Sequence, residues 1–189
     1  MLTWLKTRSD RRQIARLLYG SIVTRAREPV FYAAWGVPDT VQGRFEMIAL
    51  HLVLVLRRLA AEGRAGERLG RALTEAFVVD LDDAMREMTF GDLAVPREVK
   101  RAAAALFDRH RAYLAALDSP GGTPLAQALR AQLAYLDAGQ GGQGLGQGLG
   151  QGLDAQSLAD YVRRAAGALD GQPASLILAG RLTWPQTAA

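Results

Sequence analysis

The hydrophobic pattern of the chain predicts a bundle of helices. Through most of the sequence, apolar residues recur every three or four positions, which places them on one face of a helix. In the stretch 41–62, the residues between Phe45 and Leu56 are apolar on almost every side, so this helix is expected in the middle of the bundle. Other helices are expected over 9–27, 67–88, 96–117, 125–136 and 154–169. We therefore predict a single all-α domain of about six or seven helices.

Capping residues and glycine-rich segments predict where these helices begin and end. Three helix N-termini have a candidate capping residue: Ser9 for the first, Asp39 or Thr40 for the central helix, and Asp154 for the helix over 154–169. Pro29 is expected to break the first helix. The sequence Gly-Gln-Gly-Leu occurs three times over 142–153, which is typical of a disordered linker. An apolar segment over 175–182, followed by Trp184, is expected to dock back on the bundle. The predicted regions are a basic amphipathic N-terminal helix region (1–28), a helical core (29–138), a low-complexity Gly/Gln/Leu linker (139–153) and a C-terminal helical segment packing on the core (154–189).

Composition excludes several classes of chemistry. The chain has no cysteine and two histidines, so disulfides, thiolate metal sites and cysteine nucleophiles are excluded. No nucleophile elbow, zinc box or dinucleotide-binding loop is present, and we predict neither catalytic residues nor a cofactor. The most apolar run, 47–56, is half as long as a bilayer span requires, and the basic N-terminus lacks the features of a secretory signal. We therefore expect a cytoplasmic protein.

The positive charge is concentrated at the N-terminal end. The formal net charge is +4, and residues 1–28 hold seven basic residues against two acidic ones. A basic amphipathic helix can lie on anionic lipid at the inner membrane, bind RNA phosphates or be a solvated surface helix. A DNA reader is not expected, since no recognition motif accompanies these charges. The candidate membrane or RNA contacts are Arg8, Arg11, Arg12 and Arg16.

Two features could be either structural or functional. Phe31, Tyr32 and Trp35 form the densest aromatic group in the chain, which is expected to be a core plug or, as the alternative, part of a groove for a partner helix. His51 lies inside the apolar central helix. It is expected to be neutral and hydrogen-bonded either to a backbone carbonyl or to an acid such as Asp80.

The stretch 77–100 predicts a helix, a tight turn and a second helix. An acidic group on the first helix precedes Gly91 and Asp92, and the second helix is expected to start near Pro96. Asp80 borders the apolar stripe and therefore needs a partner, for which Arg57, Arg58 or His51 are candidates. The aspartates at 80, 82 and 83 point in different directions on a helix, so no metal site is predicted. We interpret this stretch as a corner that docks a partner.

An ordered set of residues resembles a known family. Upstream the set comprises Phe31, Tyr32, Gly36, Pro38, Asp39, Thr40, Phe45 and His51. In the acidic stretch it comprises Asp80, Asp82, Arg86, Glu87, Met88, Gly91, Asp92, Val95, Val99 and Lys100. The chain resembles the ubiquinol–cytochrome c chaperone family, the assembly factors for the cytochrome b subunit of respiratory complex III, over residues 32–113.

The resemblance implies a non-enzymatic assembly chaperone that binds newly made cytochrome b near the membrane. In mitochondrial relatives a small partner protein is part of the working unit. The alternative is a helical module that encloses a quinone-like or lipid ligand in a pocket lined by Phe31, Trp35, Met47, Phe77 and Met88. The candidate partner-binding residues are Phe31, Tyr32, Trp35, Asp80, Asp82, Arg86, Asp92 and Lys100.

Overall fold

The chain folds as an all-α bundle in the computed structural model. The structure describes residues 2–87, 104, 108–109, 111–119, 123–138 and 152–187, with side chains over 9–83, 104, 108–109, 111–119, 124–133 and 152–187. The helices are α1 (Leu2–Ala26), α2 (Pro29–Ala33), α3 (Val41–Ala60), α4 (Gly63–Glu87), α5 (residues 111–118), α6 (Thr123–Ala138), α7 (Ala155–Asp170) and α8 (Ala174–Leu178). The predicted all-α class is confirmed.

Helix α3 lies at the centre of the bundle, as its sequence predicted. It packs against α1, α4, α6 and α7. The residues from 49 to 55 are all buried, which accounts for the absence of a polar face in this part of the sequence. The core therefore forms around α3, and the other long helices each cover one side of it.

Of the three predicted N-caps, two are confirmed and one is wrong. Thr40 Oγ1 accepts a hydrogen bond from Gly43 N at 3.1 Å, and Asp154 Oδ1 accepts one from Ser157 N at 2.9 Å. Ser9 is not an N-cap, because α1 begins seven residues earlier at Leu2. Along α1, Ala15, Leu18 and Ile22 face the core, whereas Leu17 is 54 % exposed.

Two glycines allow the chain to pass close to itself. Gly66 on α4 lies against the Leu59 carbonyl of α3, where an added Cβ would be 1.8 Å from the oxygen. Gly36 has a φ of +70°, and a Cβ there would be 2.2 Å from the Gly152 carbonyl oxygen. Next to this contact, Asp154 N donates to Trp35 O at 2.9 Å, and Leu153 is buried. The start of α7 is therefore fixed against the loop that follows α2.

The C-terminal segment docks on the bundle, as its apolar residues predicted. Ile177 is buried, and the Trp184 indole nitrogen donates to Ser21 Oγ on α1 at 3.0 Å. The Gln172 side chain forms two hydrogen bonds with the backbone of Thr183. Gln172 Oε1 accepts from Thr183 N at 2.9 Å, and Gln172 Nε2 donates to the Thr183 carbonyl at 2.8 Å. Residues 179–187 thus follow the surface of α1 without forming a helix of their own.

Candidate functional site

The described part of the predicted docking corner is the face that α4 turns towards α1. The Tyr19 hydroxyl donates to Asp80 Oδ2 at 2.7 Å, and the Tyr19 ring meets Phe77 edge-on with 6.4 Å between centroids. Burial of Tyr19, reinforced by the bond to Asp80, raises the pKa of its hydroxyl well above the usual value, so this tyrosine stays protonated. The contact joins α1 to α4 next to the acidic group.

The predicted partners of Asp80 are wrong. Arg57 pairs instead with Asp170 at 2.8 Å, and Arg58 donates to the Leu169 carbonyl at 2.9 Å. Both arginines therefore tie α3 to the end of α7 rather than to α4. Asp80 itself is exposed apart from its bond to Tyr19, so it carries no buried charge that would need an arginine.

Other predicted corner residues are only partly within the described chain. Asp82 is half-buried on α4, and Asp83 is exposed one position later. Arg86 lies within α4, but its side chain is outside the described residues, as are Asp92, Lys100 and the predicted turn at Gly91. The structure therefore locates the acidic helix of the corner and the face it shares with α1.

The aromatic group is a core plug, which was one of its two predicted roles. Phe31 and Trp35 are buried and pack edge-to-face with 5.4 Å between ring centroids. Neither side chain is on the surface of this conformation. Tyr32 is half-buried, and its hydroxyl donates to the Ala26 carbonyl at the end of α1 at 2.7 Å.

His51 belongs to a buried chain of hydrogen bonds that links three helices. Its Nδ1 is 2.7 Å from the Met47 carbonyl, and its Nε2 is 2.7 Å from the Tyr161 hydroxyl of α7. Arg25 Nε of α1 donates to the same hydroxyl at 2.9 Å. A carbonyl can only accept, so Nδ1 carries the proton and Nε2 accepts from Tyr161. The expected bond to a backbone carbonyl is confirmed, and the second partner is Tyr161 rather than Asp80.

The surroundings of His51 keep its imidazole ring neutral. Complete burial, opposed by the Met47 carbonyl and reinforced by the nearby Arg25 charge, lowers the pKa of His51 to about 4. Burial raises the pKa of Tyr161 to about 12, although Arg25 opposes this shift. Both ring nitrogens of His51 thus form hydrogen bonds inside the bundle, which is the arrangement of a structural histidine rather than of a general base.

The C-terminal segment closes over this network. The Trp184 ring meets the His51 ring edge-on at 5.2 Å between centroids. Arg25 donates to the Pro185 carbonyl and pairs with Glu28 at 2.6 Å, and Thr187 donates to Glu28 at 2.9 Å. Sequence analysis missed Pro185 and Thr187 as partners, because they lie 160 and 159 positions along the chain from Arg25 and Glu28.

A second buried charged pair joins α3 to the helical residues 108–109. Arg109 donates through two nitrogens to the Glu46 carboxylate, with 2.5 Å between Nε and Oε2. Burial raises the pKa of Glu46, and the Arg109 bonds act in the opposite direction. The Arg109 guanidinium also lies over the Phe45 ring, 5.8 Å from its centroid. Neither member of this pair was a candidate in the sequence, since spacing alone does not show that residue 109 meets residue 46.

The N-terminal arginines that were candidate membrane or RNA contacts line clefts between α1 and α4. Arg11 and Arg12 line one cleft of about 540 Å³, together with arginines of α4. Arg12 and Arg16 line the adjoining cleft, which also contains Asp80 and Asp83. The side chain of Arg8 lies outside the described residues.

Within the described residues, no group of three or more potential metal ligands comes together, and no helix has the length and apolarity to cross a bilayer. The buried polar side-chain atoms of the same residues all have hydrogen-bond partners. The buried polar groups described above therefore use their polar atoms to hold the bundle together.

A model of the ubiquinol–cytochrome c chaperone family matches residues 33–184, which is most of the chain. The chain belongs to this family. The match extends beyond the 32–113 range in which the sequence resemblance was recognised, and it includes α7 and the C-terminal segment that cover His51. The resemblance is confirmed by this finding.

A solved structure supports the same assignment. The chain is similar to the Cbp3 homolog from Brucella abortus, at 30 % sequence identity and with a TM-score of 0.79. The comparison covers 99 % of this chain and 98 % of that one, so the similarity extends through the whole bundle. No curated protein shows a significant match.

Proposed function

We propose that this protein binds newly made cytochrome b near the membrane and holds it during assembly of complex III, without catalysing a reaction. The observation that carries the proposal is the family match over residues 33–184, together with the similarity to the Cbp3 homolog over nearly the whole of both chains. The family is one of chaperones for ubiquinol–cytochrome c reductase assembly, and cytochrome b is the component we assign to this chain.

The bonding of the buried titratable groups supports a non-catalytic role. His51 uses both ring nitrogens inside the bundle, and its pKa of about 4 keeps it neutral at physiological pH. Glu46 and Arg109 neutralise each other in the core. These groups stabilise the fold and present no titrating atom to a substrate.

The proposed contact surface is the docking corner at the end of α4. It comprises Asp80, Asp82, Arg86, Asp92 and Lys100, with the half-buried Tyr32 as the one remaining candidate of the aromatic group. Phe31 and Trp35 are withdrawn from this surface because both are buried. Its three aspartates would recognise basic segments of the nascent protein by charge complementarity. The family resemblance also implies a small partner protein as part of the working unit.

Photo-crosslinking tests the corner directly. A photoreactive phenylalanine analogue replaces the exposed Asp83 of α4 in one variant and the exposed Asp160 of α7 in a matched control. We expect the residue-83 variant to form a covalent product with newly made cytochrome b in cells, and the residue-160 variant to form little or none. Equal products from both positions would contradict the corner. If neither variant crosslinks to cytochrome b or copurifies with it, the proposed partner is contradicted.

The enclosed-ligand alternative gains no support from the packing. Phe31 meets Tyr161 and His51 at 5.1 and 5.5 Å between ring centroids, and Phe77 meets Phe45 at 5.5 Å. These direct ring contacts occupy space that the predicted quinone pocket would require. Trp35 and Met47, two further predicted lining residues, are buried in the core, and Met88 lies outside the described residues.

A further inference from the structure

We propose that the cleft between α1 and α4 binds the phosphate group of an anionic phospholipid at a membrane surface. The cleft, called here the arginine cleft, has a volume of about 540 Å³. Its lining residues are Arg11, Arg12, Arg64, Arg68, Arg71, Glu67, Ala72 and Glu75. Arg11 and Arg12 were candidate lipid or RNA contacts on the basis of α1 alone, and the structure adds three arginines from α4.

The charges of the arginine cleft are unbalanced. Five guanidinium groups face two carboxylates, and none of the five forms an ion pair with another described residue. By contrast, each of four other arginines pairs with a carboxylate of the described residues: Arg25, Arg57, Arg58 and Arg109. A concentration of unpaired cations repels itself and is stabilised by an anion. Guanidinium groups bind phosphate oxygens in pairs, which makes a phosphate ester the fitting ligand.

The fold holds these arginines on two adjacent helices. Residues 64, 68 and 71 are spaced by four and three positions, so they share one face of α4. Arg64 lies in the first turn of α4, where the helix dipole is positive. Further along the same helix pair, the Tyr19–Asp80 hydrogen bond and the Tyr19–Phe77 ring contact fix α1 against α4. The cleft is therefore built by packing of two long helices.

An apolar groove adjoins the arginine cleft and favours a lipid over other phosphate esters. This groove, between α3 and α4, has a volume of about 930 Å³ and shares Glu67, Arg71 and Glu75 with the arginine cleft. Its apolar lining includes Leu56, Leu59, Val78 and Val79, and Val79 is 61 % exposed. A phosphate in the cleft thus has an apolar surface within reach of its acyl chains. Single-stranded RNA is recognised by stacking on aromatic rings, and neither the cleft nor the groove has an aromatic lining residue.

Vesicle flotation with the purified full-length chain tests the proposal without cytochrome b, so its outcome is separate from that of the proposed function. One vesicle contains phosphatidylcholine only, and the other contains equal parts of phosphatidylcholine and phosphatidylglycerol. The cleft variant is Arg64→Gln with Arg68→Gln. The control variant, Arg130→Gln with Arg164→Gln, removes the same charge from exposed positions on α6 and α7. Melting temperatures establish that every variant is folded.

We expect the wild-type chain to float with the phosphatidylglycerol vesicles and not with phosphatidylcholine alone. Two arginines near an anionic surface together contribute about 30-fold in affinity, so the cleft variant should bind roughly that much more weakly. The control variant should bind nearly as well as the wild type. Equal losses of vesicle binding in the cleft and control variants would show that net charge alone explains the effect, and would overturn the cleft assignment.

Val79→Ser separates a phospholipid from a free phosphate. If acyl chains use the apolar groove, this exposed substitution should weaken vesicle binding although it changes no charge. Unchanged vesicle binding would overturn the lipid assignment in favour of a phosphate site without an acyl contact. The lipid assignment would also be overturned if the cleft variant lost affinity for single-stranded RNA but bound vesicles as well as the wild type does.

Discussion

Replacing Arg109 by alanine is expected to lower the free energy of unfolding by about 3–5 kcal/mol. Its guanidinium makes two hydrogen bonds to the Glu46 carboxylate, and the two residues are only 9 % and 2 % exposed. The alanine variant leaves that carboxylate buried without its cation, and burial already raises the pKa of Glu46. Urea denaturation at neutral pH measures the loss.

Replacing both partners is the informative control. Glu46→Met with Arg109→Met removes the two charges together, and buried pairs replaced by apolar residues of similar size often lose little stability. We expect this double variant to be much more stable than Arg109→Ala. The loss in Arg109→Ala should also shrink in acid, because a protonated Glu46 is less costly to bury. An Arg109→Ala variant within about 0.5 kcal/mol of the wild type would show that the pair does not hold α3 to this part of the chain.

The free energy of unfolding should fall by about 3 kcal/mol through the ionisation of His51 as the pH is lowered from 6.5 to 4. Burial lowers the pKa of His51 from 6.5 to about 4 in the folded chain. Between these values the unfolded chain binds a proton that the folded chain excludes, so acid favours unfolding. Above pH 6.5 the histidine is neutral in both states, and its contribution no longer changes with pH.

The variant His51→Gln isolates this contribution. Glutamine does not titrate, so the difference between the stability curves of wild type and variant should narrow steadily from pH 6.5 to 4. Other groups, including Glu46, affect both curves and cancel in the difference. Denaturant titrations across this pH range supply the measurement. Parallel curves would mean that His51 is protonated as readily in the folded chain as in the unfolded one.

The features predicted from sequence are those determined locally. The apolar run of α3 requires burial on every side, so its central position could be derived without knowing its neighbours. The Thr40 and Asp154 caps involve residues three positions apart. The bond between His51 and the Met47 carbonyl is likewise within one helical turn.

The features that sequence analysis missed depend on distant residues. Glu46 and Arg109 are 63 positions apart, Tyr19 and Asp80 are 61 apart, and His51 and Tyr161 are 110 apart. Periodicity shows which face of a helix is apolar, but it does not show which polar side chain of another helix will meet it. For the same reason the α1 arginines could be recognised as a basic group, whereas the cleft they form with α4 could not.

The most direct test of the central claim is a reduced-minus-oxidised haem spectrum of membranes from cells that lack this chain. Cytochrome b transcript levels are matched to those of the parent strain. We predict a selective loss of the b-type signal of complex III, restored when the wild-type chain is supplied. An unchanged spectrum with intact complex III activity would contradict a role for this protein in the assembly of cytochrome b.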